Sequence, residues 1–413
     1  MDFELFDHVA SVYANANANA SDGAVSNAAL YRTSARLAGI PDEAMDRLDP
    51  VGKALQPHSL KKRAVRWHQQ TLKKLGLLEH VDRGIWRLTE VGKQKLCRIQ
   101  PAVAVLGYST DLGICIWGEA EHVFSRLDRP VSLLLTSPPF RLRKPRAYGN
   151  PAGEQEYVDF VLRIVEPVIN KLLPGGSVLL NVSNDVFEVG SPARSMYIER
   201  LLIALHDRLG LKLMERFVWE NPSKPPGPVV WASKKRVHLN VGYEPIYWLT
   251  NDPSSVRTNN RRVLQPHTED HLRFLQNGGV KKDASFCDGA YTHRVGKSFA
   301  NQTEGKIPRN ILKFSHNCSN KQETAKVART LGLPVHGATF PLKMAKFLVQ
   351  FFTGDGEDEF VVDTCAGWNT TGLACEELGI PWMATEVMRG YVLASALRFR
   401  EAVGFSQARL ADC

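Results

Sequence analysis

Phe360-Val361-Val362-Asp363-Thr364-Cys365-Ala366-Gly367-Trp368-Asn369-Thr370-Thr371-Gly372 passes from an apolar, β-branched stretch into a short loop, and from there into the helical pattern Leu373-Ala374-Cys375-Glu376-Glu377-Leu378-Gly379. This order of residue types predicts strand, tight loop and helix. A second apolar strand, Trp382 to Thr385, closes on Glu386. In an open α/β sheet the loop after such a strand faces a ligand. Gly367 lets the backbone approach that ligand closely, and an acid ending the next strand can accept from two ribose hydroxyls. Glycines in such a loop recur in many sheets of this kind and do not alone say which ligand is meant.

Working toward the N-terminus, the apolar run Val131 to Leu135 leads into Thr136-Ser137-Pro138-Pro139-Phe140. Two consecutive prolines fix two φ angles and remove two backbone donors, so the chain turns a rigid corner that presents carbonyls and one hydroxyl. Such a corner suits a planar heterocycle carrying an exocyclic amino group. Ser137 Oγ and the Pro138 carbonyl can accept its N–H bonds, and the Phe140 ring can stack on it. A proline-terminated strand with a core phenylalanine is the plainer reading of the tetrapeptide taken alone.

Together the two segments resemble the amino-methyltransferases of DNA, in the beta-class, circularly permuted order where the catalytic motif precedes the S-adenosylmethionine motif. The pattern is most similar to the PvuII-type cytosine-N4 methyltransferases. Tyr148-Gly149-Asn150, Leu173-Pro174-Gly175-Gly176-Ser177, Asn221-Pro222-Ser223-Lys224, Gly296-Lys297-Ser298-Phe299, Ile307-Pro308 and Phe340-Pro341 follow in the family's order. The resemblance spans residues 103 to 403. It implies a Rossmann-like methyltransferase sheet, S-adenosylmethionine as cofactor, and transfer to the N4 amino group of a flipped-out cytosine in duplex DNA. Ser137, Pro138, Pro139 and Phe140 then form the catalytic corner. Asp363, Cys365, Ala366, Gly367, Trp368, Thr371 and Glu386, with Phe340 and Pro341, hold the cofactor. Two departures stand out. Thr364-Cys365 replaces a Pro-Phe pair, and Trp368 occupies a small-residue position, where it either lines the cofactor pocket or obstructs it. Asn369 stands where glycine is common, a mild change because asparagine tolerates left-handed backbone.

Charge points to the same partner. The chain of 413 residues carries a net charge of +9, and residues 53 to 98 hold 12 Lys/Arg against 3 Asp/Glu, leaving 40 of each elsewhere. The whole excess sits in one small segment, which favours a polyanion over an evenly solvated face. Within it, His58 to Leu75 has helical apolar spacing through Leu60, Ala64, Val65, Trp67, Thr71, Leu72 and Leu75, and Gly76 ends it. Leu77 to Val81 and Ile85 to Leu88 predict two short strands around Asp82-Arg83-Gly84, and Thr89 a cap for a helix through Leu96. With earlier helices between Phe3 and Leu37, and Ala14 to Ser26 as either a loop or a poorly ordered stretch, this is the plan of an α+β winged-helix domain. It resembles the modules appended to restriction and modification enzymes. We therefore expect a basic winged-helix domain over residues 1–100 and a methyltransferase domain over 101–413. Lys61, Lys62, Arg63, Arg66, Lys73 and Lys74 are its candidate DNA contacts; a protein-binding role is the other use of such folds.

Ser177 to Val182 and Phe217 to Trp219 are further strands, and Tyr243 to Leu249 with its Pro245 predicts an edge strand. Periodicity fades between 250 and 307. In this family that stretch corresponds to the target-recognition region, which places Arg261, Arg262, Lys281 and Lys282 among the DNA contacts.

The seven cysteines are scattered without a CxxC spacing, which argues for a reducing compartment and against a metal site. No apolar run approaches membrane-spanning length, and Met1-Asp2-Phe3-Glu4 lacks the features of a leader, so a cytoplasmic location is expected. A cognate restriction endonuclease acting on the same site is the expected functional partner. Adenine-N6 methylation uses the same architecture, usually with Asp at the corner. Cytosine-C5 methylation is disfavoured because no cysteine follows a proline. A non-catalytic regulator on a decayed methyltransferase core is favoured by Trp368 alone.

Overall fold

The computed structural model describes residues 8–10, 12–13, 16, 23–51, 56–92, 98–99, 101–141, 151, 153–295, 303–316, 318–331, 333, 335–337, 339–354 and 356–408. Tyr148-Gly149-Asn150, Gly296 to Phe299 and the end of the helix expected through Leu96 lie outside them. Among the described residues no helix is long and apolar enough to cross a membrane, and no cluster of His, Cys, Asp and Glu could hold a metal ion.

The N-terminal part comprises β1 (Val25–Ser26), α1 (Asn27–Leu37), α2 (Asp42–Asp46), β2 (Asp49–Val51), β3 (Gln56–His58), α3 (Leu60–Lys74), β4 (Leu78–Asp82) and β5 (Ile85–Leu88). Strands β1, β5 and β4 form one antiparallel sheet. Helix α3 starts where Ser59 Oγ accepts from Lys62 N, and the chain turns away through Gly76 at φ +72°. The face it buries differs from the expected one. Val65, His68, Gln69 and Leu72 point inward, whereas Leu60, Trp67 and Leu75 are more than half exposed. Gln69 can be buried because its amide donates to Tyr13 Oη at 2.6 Å and to Asn27 Oδ1 at 3.0 Å.

The larger part begins with β6 (Ala104–Ser109), β7 (Gly113–Gly118), α4 (Ala120–Phe124), β8 (Val131–Thr136), α5 (Glu154–Ile169), β9 (Leu172–Asn181), α6 (Tyr197–Leu209), β10 (Lys212–Glu220) and β11 (Tyr243–Thr250). It continues through α7 (Glu269–Gln276), the hairpin β12 (Ala284–Phe286) and β13 (Tyr291–His293), β14 (Ile311–Lys313), α8 (Ser319–Thr330) and α9 (Leu342–Phe352). It ends with β15 (Val361–Asp363), α10 (Thr370–Leu378), β16 (Trp382–Glu386), α11 (Arg389–Ala396) and β17 (Ser406–Gln407). Ten strands form one sheet in the order β14-β10-β11-β9-β8-β15-β16-β7-β6-β17, and the central five, β9 to β7, run parallel. Both faces are covered. Leu133 and Leu135 join a core with α9, α10 and α11, while Leu134 joins one with α5 and α6. All three leucines are fully buried, each contributing about 1.5–3 kcal/mol.

Strand β11 corrects the edge-strand expectation, since it lies between β10 and β9. Pro245 is accommodated because the Ile246–Asn181 pair is where the β9 ladder begins, so the missing N–H falls at its end. On the other side Val218, opposite Pro245, gives its N–H to Asn310 O instead. Gly175 shows why its motif needs glycine. At φ +72° a Cβ there would come within 1.8 Å of Ser255 O, which starts the segment leading into the expected recognition region.

Candidate active site

From β8 the chain crosses to β9, and from β15 it crosses the opposite way to β16. The order therefore reverses between β8 and β15, and ligands bind in such sheets at the carboxyl ends beside that reversal. The two segments singled out in the sequence lie there. Ser137, Pro138, Pro139 and Phe140 line one cleft together with Phe340, Asp363, Cys365, Ala366, Gly367 and Glu386.

At the corner, Ser137 Oγ donates to Asn181 Oδ1 at 3.1 Å, and Asn181 Nδ2 donates to Pro245 O at 3.2 Å. Asn181 is thereby fixed amide-oxygen first toward the serine. The Ser137 hydrogen is directed away from the cleft, leaving its oxygen to accept.

On the other wall, Asp363 Oδ1 accepts from Cys365 N at 3.0 Å and Oδ2 from Thr371 Oγ1 at 2.7 Å. Glu386 Oε2 accepts from Gly367 N and Oε1 from Met388 N, both at 2.8 Å. A third backbone hydrogen bond, from Val387, also reaches this carboxylate. Gly367 sits at φ +56°, and a Cβ on it would meet the His336 ring at 3.0 Å. Asn369 is left-handed at φ 48°, and its side chain caps α10 through Gly372 N, so the asparagine does the conformational work of the glycine it replaces. Burial pushes the Asp363 carboxyl up to about 6 and Glu386 up to about 7, against their backbone hydrogen bonds, which pull down. Neither carboxylate makes an ion pair among the described residues. A cleft walled by two such groups favours a ligand that brings its own positive charge.

Several expected residues lie elsewhere. Trp368 is fully buried on the far side of its loop, packed with Ala325 and Ala328 of α8 and Ala394 of α11, and does not line the cleft. An indole needs room, and α8 presents alanines to supply it. Thr371 acts on Asp363 from behind, and Pro341 is buried as the N-cap residue of α9. The cleft also contains residues not anticipated: Arg98, Glu119, Ala120, His336, Thr339, Val387 and Tyr391. Glu119 follows the end of β7 much as Glu386 ends β16, and that shared position is the signal that could have found it. Arg98 Nη2 meets Glu119 Oε1 at 3.3 Å, and Ile99 enters the core with its N–H on Val387 O.

The basic candidates divide. Lys61, Arg63, Arg66 and Lys74 are exposed on α3. Lys62 pairs with Asp46, and Lys73 lies 5.3 Å over the Trp86 ring. Arg261, Lys281 and Lys282 are exposed. Arg262 differs: its guanidinium donates to the carbonyls of Arg257 and Thr353, and Arg257 in turn pairs with Asp358 and Glu359. These two arginines tie the base of the segment to the sheet domain.

Residues 131–396 match the DNA methylase family of N6 and N4 type. The chain belongs to that family. Among its relatives is the type II methyltransferase M.PvuII of Proteus hauseri, 35% identical over 302 residues, which cover 71% of this chain and 85% of the relative. The solved structure of the PvuII DNA methyltransferase (cytosine-N4-specific) superposes with a TM-score of 0.53 at 28% identity, covering 74% of the methylase described here and 90% of that chain. Residues 18–98 of the methylase match the Mrr N-terminal domain.

Proposed function

We propose that this methylase transfers a methyl group from S-adenosylmethionine to the exocyclic N4 amino nitrogen of a cytosine flipped out of duplex DNA. One observation carries the reading: the Ser-Pro-Pro-Phe corner and the Asp363–Gly367 loop with Glu386 line a single cleft. When bound, S-adenosylmethionine supplies an electrophilic methyl on a sulfonium. Glu386 would accept from the ribose hydroxyls, and Gly367 would let the loop backbone approach the methionine portion. Asp363 and Glu386 complement the positive charge.

The amino nitrogen of cytosine is a poor nucleophile because its lone pair is delocalised into the ring. Ser137 Oγ and the Pro138 carbonyl accept hydrogen bonds from its two N–H groups and draw that lone pair toward the cofactor. Asn181 holds the serine in the accepting orientation and, being an amide, takes no proton itself. Phe140 stacks on the base and favours its transiently cationic form. Alignment of nitrogen and methyl contributes roughly 7–11 kcal/mol in well-oriented systems. The methylated amino group then sheds a proton to water.

The N-terminal part acts as a winged-helix module whose α3 lays Lys61, Arg63, Arg66 and Lys74 against phosphates. The segment from 250 to 307 reads the site. A cytoplasmic location and a restriction endonuclease sharing the site complete the reading. Its support is the family membership, the likeness to M.PvuII and the serine at the corner. Expression in a host free of DNA methylation, followed by sequencing that detects modified bases, tests it. Modified cytosines in one short motif are expected, and modified adenines or none would overturn it.

A further inference from the structure

Two loops follow β9 and β10 at the carboxyl edge of the sheet, beside the catalytic corner. They are tied to that corner directly: Arg141, next after Phe140, donates through Nη1 to Ser195 Oγ at 2.9 Å. They are also locked to each other. Phe187 packs edge-on against His238 at 5.3 Å and lies 6.3 Å from Trp231, while Arg194 covers its other side at 4.1 Å. His238 Nε2 donates to Pro192 O at 2.7 Å. The result is a preformed ridge.

Its outer surface has two unexplained properties. Val189 and Leu239, at 92% and 88%, are the most exposed large hydrophobic side chains among the described residues. Between the ridge aromatics, Lys234, Lys235 and Arg236 stand exposed in succession without an ion pair among the described residues. Asp185 and Glu188 are the only acids in the two loops, residues 182–196 and 221–242, and Asp185 is paired with Arg194 at 3.1 Å. Aliphatic tips held rigidly in water mark a surface that something covers. Consecutive unpaired cations make that partner a polyanion.

We propose that this ridge is a DNA-contacting surface, with Lys234 and Lys235 on backbone phosphates and Leu239 entering the stack where the target cytosine leaves it. The inference rests on the duplex-DNA reading above. Extruding a base costs a few kcal/mol and leaves a gap in the stack, and an inserted apolar side chain stabilises the opened duplex.

The test uses the full-length protein and duplex oligonucleotides carrying its mapped site, with the target cytosine either paired or mispaired. Leu239 is so exposed that Leu239→Ala leaves the fold intact. Single-turnover methylation of the paired duplex should fall at least about tenfold, and the mispaired duplex should recover most of the rate, because less unpairing remains to be done. Lys234→Ala with Lys235→Ala should make log affinity against log salt shallower by about 0.9 for each phosphate left without its cation. Wild-type rate for Leu239→Ala on the paired duplex, equal losses on both duplexes, or an unchanged salt slope would each overturn the proposal. Wild-type protein run in parallel separates the two readings: its own methylation tests the function, and the variant-to-wild-type ratios test the ridge.

Discussion

The Ser137 hydroxyl donates to the Asn181 side-chain oxygen at 3.1 Å, across the ends of two neighbouring parallel strands. A serine held this way meets an incoming amino group as an acceptor. Ser137→Ala should therefore lower single-turnover methyl transfer by about 10²-fold, the scale on which misplacing a reacting group slows a reaction, with cofactor affinity unchanged. Wild-type turnover would remove Ser137 from the chemistry. Phe140 is half-buried in the cleft, and Phe140→Ala should weaken base capture and turnover without a matching drop in melting temperature.

Glu386→Ala should weaken S-adenosylmethionine binding by about 1.5–3 kcal/mol, the usual loss for hydrogen bonds to a charged group. Calorimetric titration measures it directly, and an unchanged dissociation constant would take Glu386 out of the cofactor site.

Cofactor affinity should also depend on pH with a definite sign. With Asp363 pushed up to about 6 and Glu386 up to about 7, the folded chain without ligand holds protons that the unfolded chain has released. These two groups stabilise the fold below the ordinary carboxylate range, and that contribution is lost as pH rises through about 7. A cationic ligand prefers both ionised, so its affinity should rise over the same window with release of protons. Titrations in buffers of different ionisation enthalpy at about pH 5.5 and about pH 8 check both signs. Affinity falling with pH would contradict them.

Trp368 packs away from the cleft, so its substitutions should act on stability. Trp368→Ala should cost about 3–5 kcal/mol, with folded protein keeping its cofactor affinity. The indole Nε1 has no hydrogen-bond partner among the described residues, so Trp368→Phe should leave the melting temperature equal or higher. A large affinity change in folded Trp368→Phe would place the ring back in the pocket.

The exposed α3 cations should supply salt-sensitive, sequence-independent affinity. Replacing Lys61, Arg63, Arg66 and Lys74 with alanine should make log affinity against log salt shallower by about 0.9 for each phosphate no longer neutralised, with the methylated site unchanged. Relaxed site specificity at an unchanged slope would show that this unit reads sequence instead.

Strands were legible wherever apolar runs met a turn signal, and so were the corner at Ser137 and the acid at Glu386, because each closes such a run. Pro245 misled because proline's preference for edges gives way when its missing N–H falls at the end of a ladder. Trp67 and Gln69 traded places relative to the hydrophobic pattern, since a buried tyrosine hydroxyl satisfies the glutamine. Asn181, Glu119 and the anchoring contacts of Arg262 depend on interactions between segments far apart in the chain, which periodicity does not encode.

Nucleoside analysis of DNA after reaction tests methyl transfer to cytosine N4 most directly. Purified protein is incubated with methyl-labelled S-adenosylmethionine and duplex DNA, the DNA is digested, and the labelled nucleoside is identified by mass spectrometry. Label is expected in N4-methylcytosine, and Ser137→Ala should lower it by about 10²-fold at equal reaction time. Label in N6-methyladenine or 5-methylcytosine, or no transfer by protein that binds the cofactor, would contradict it.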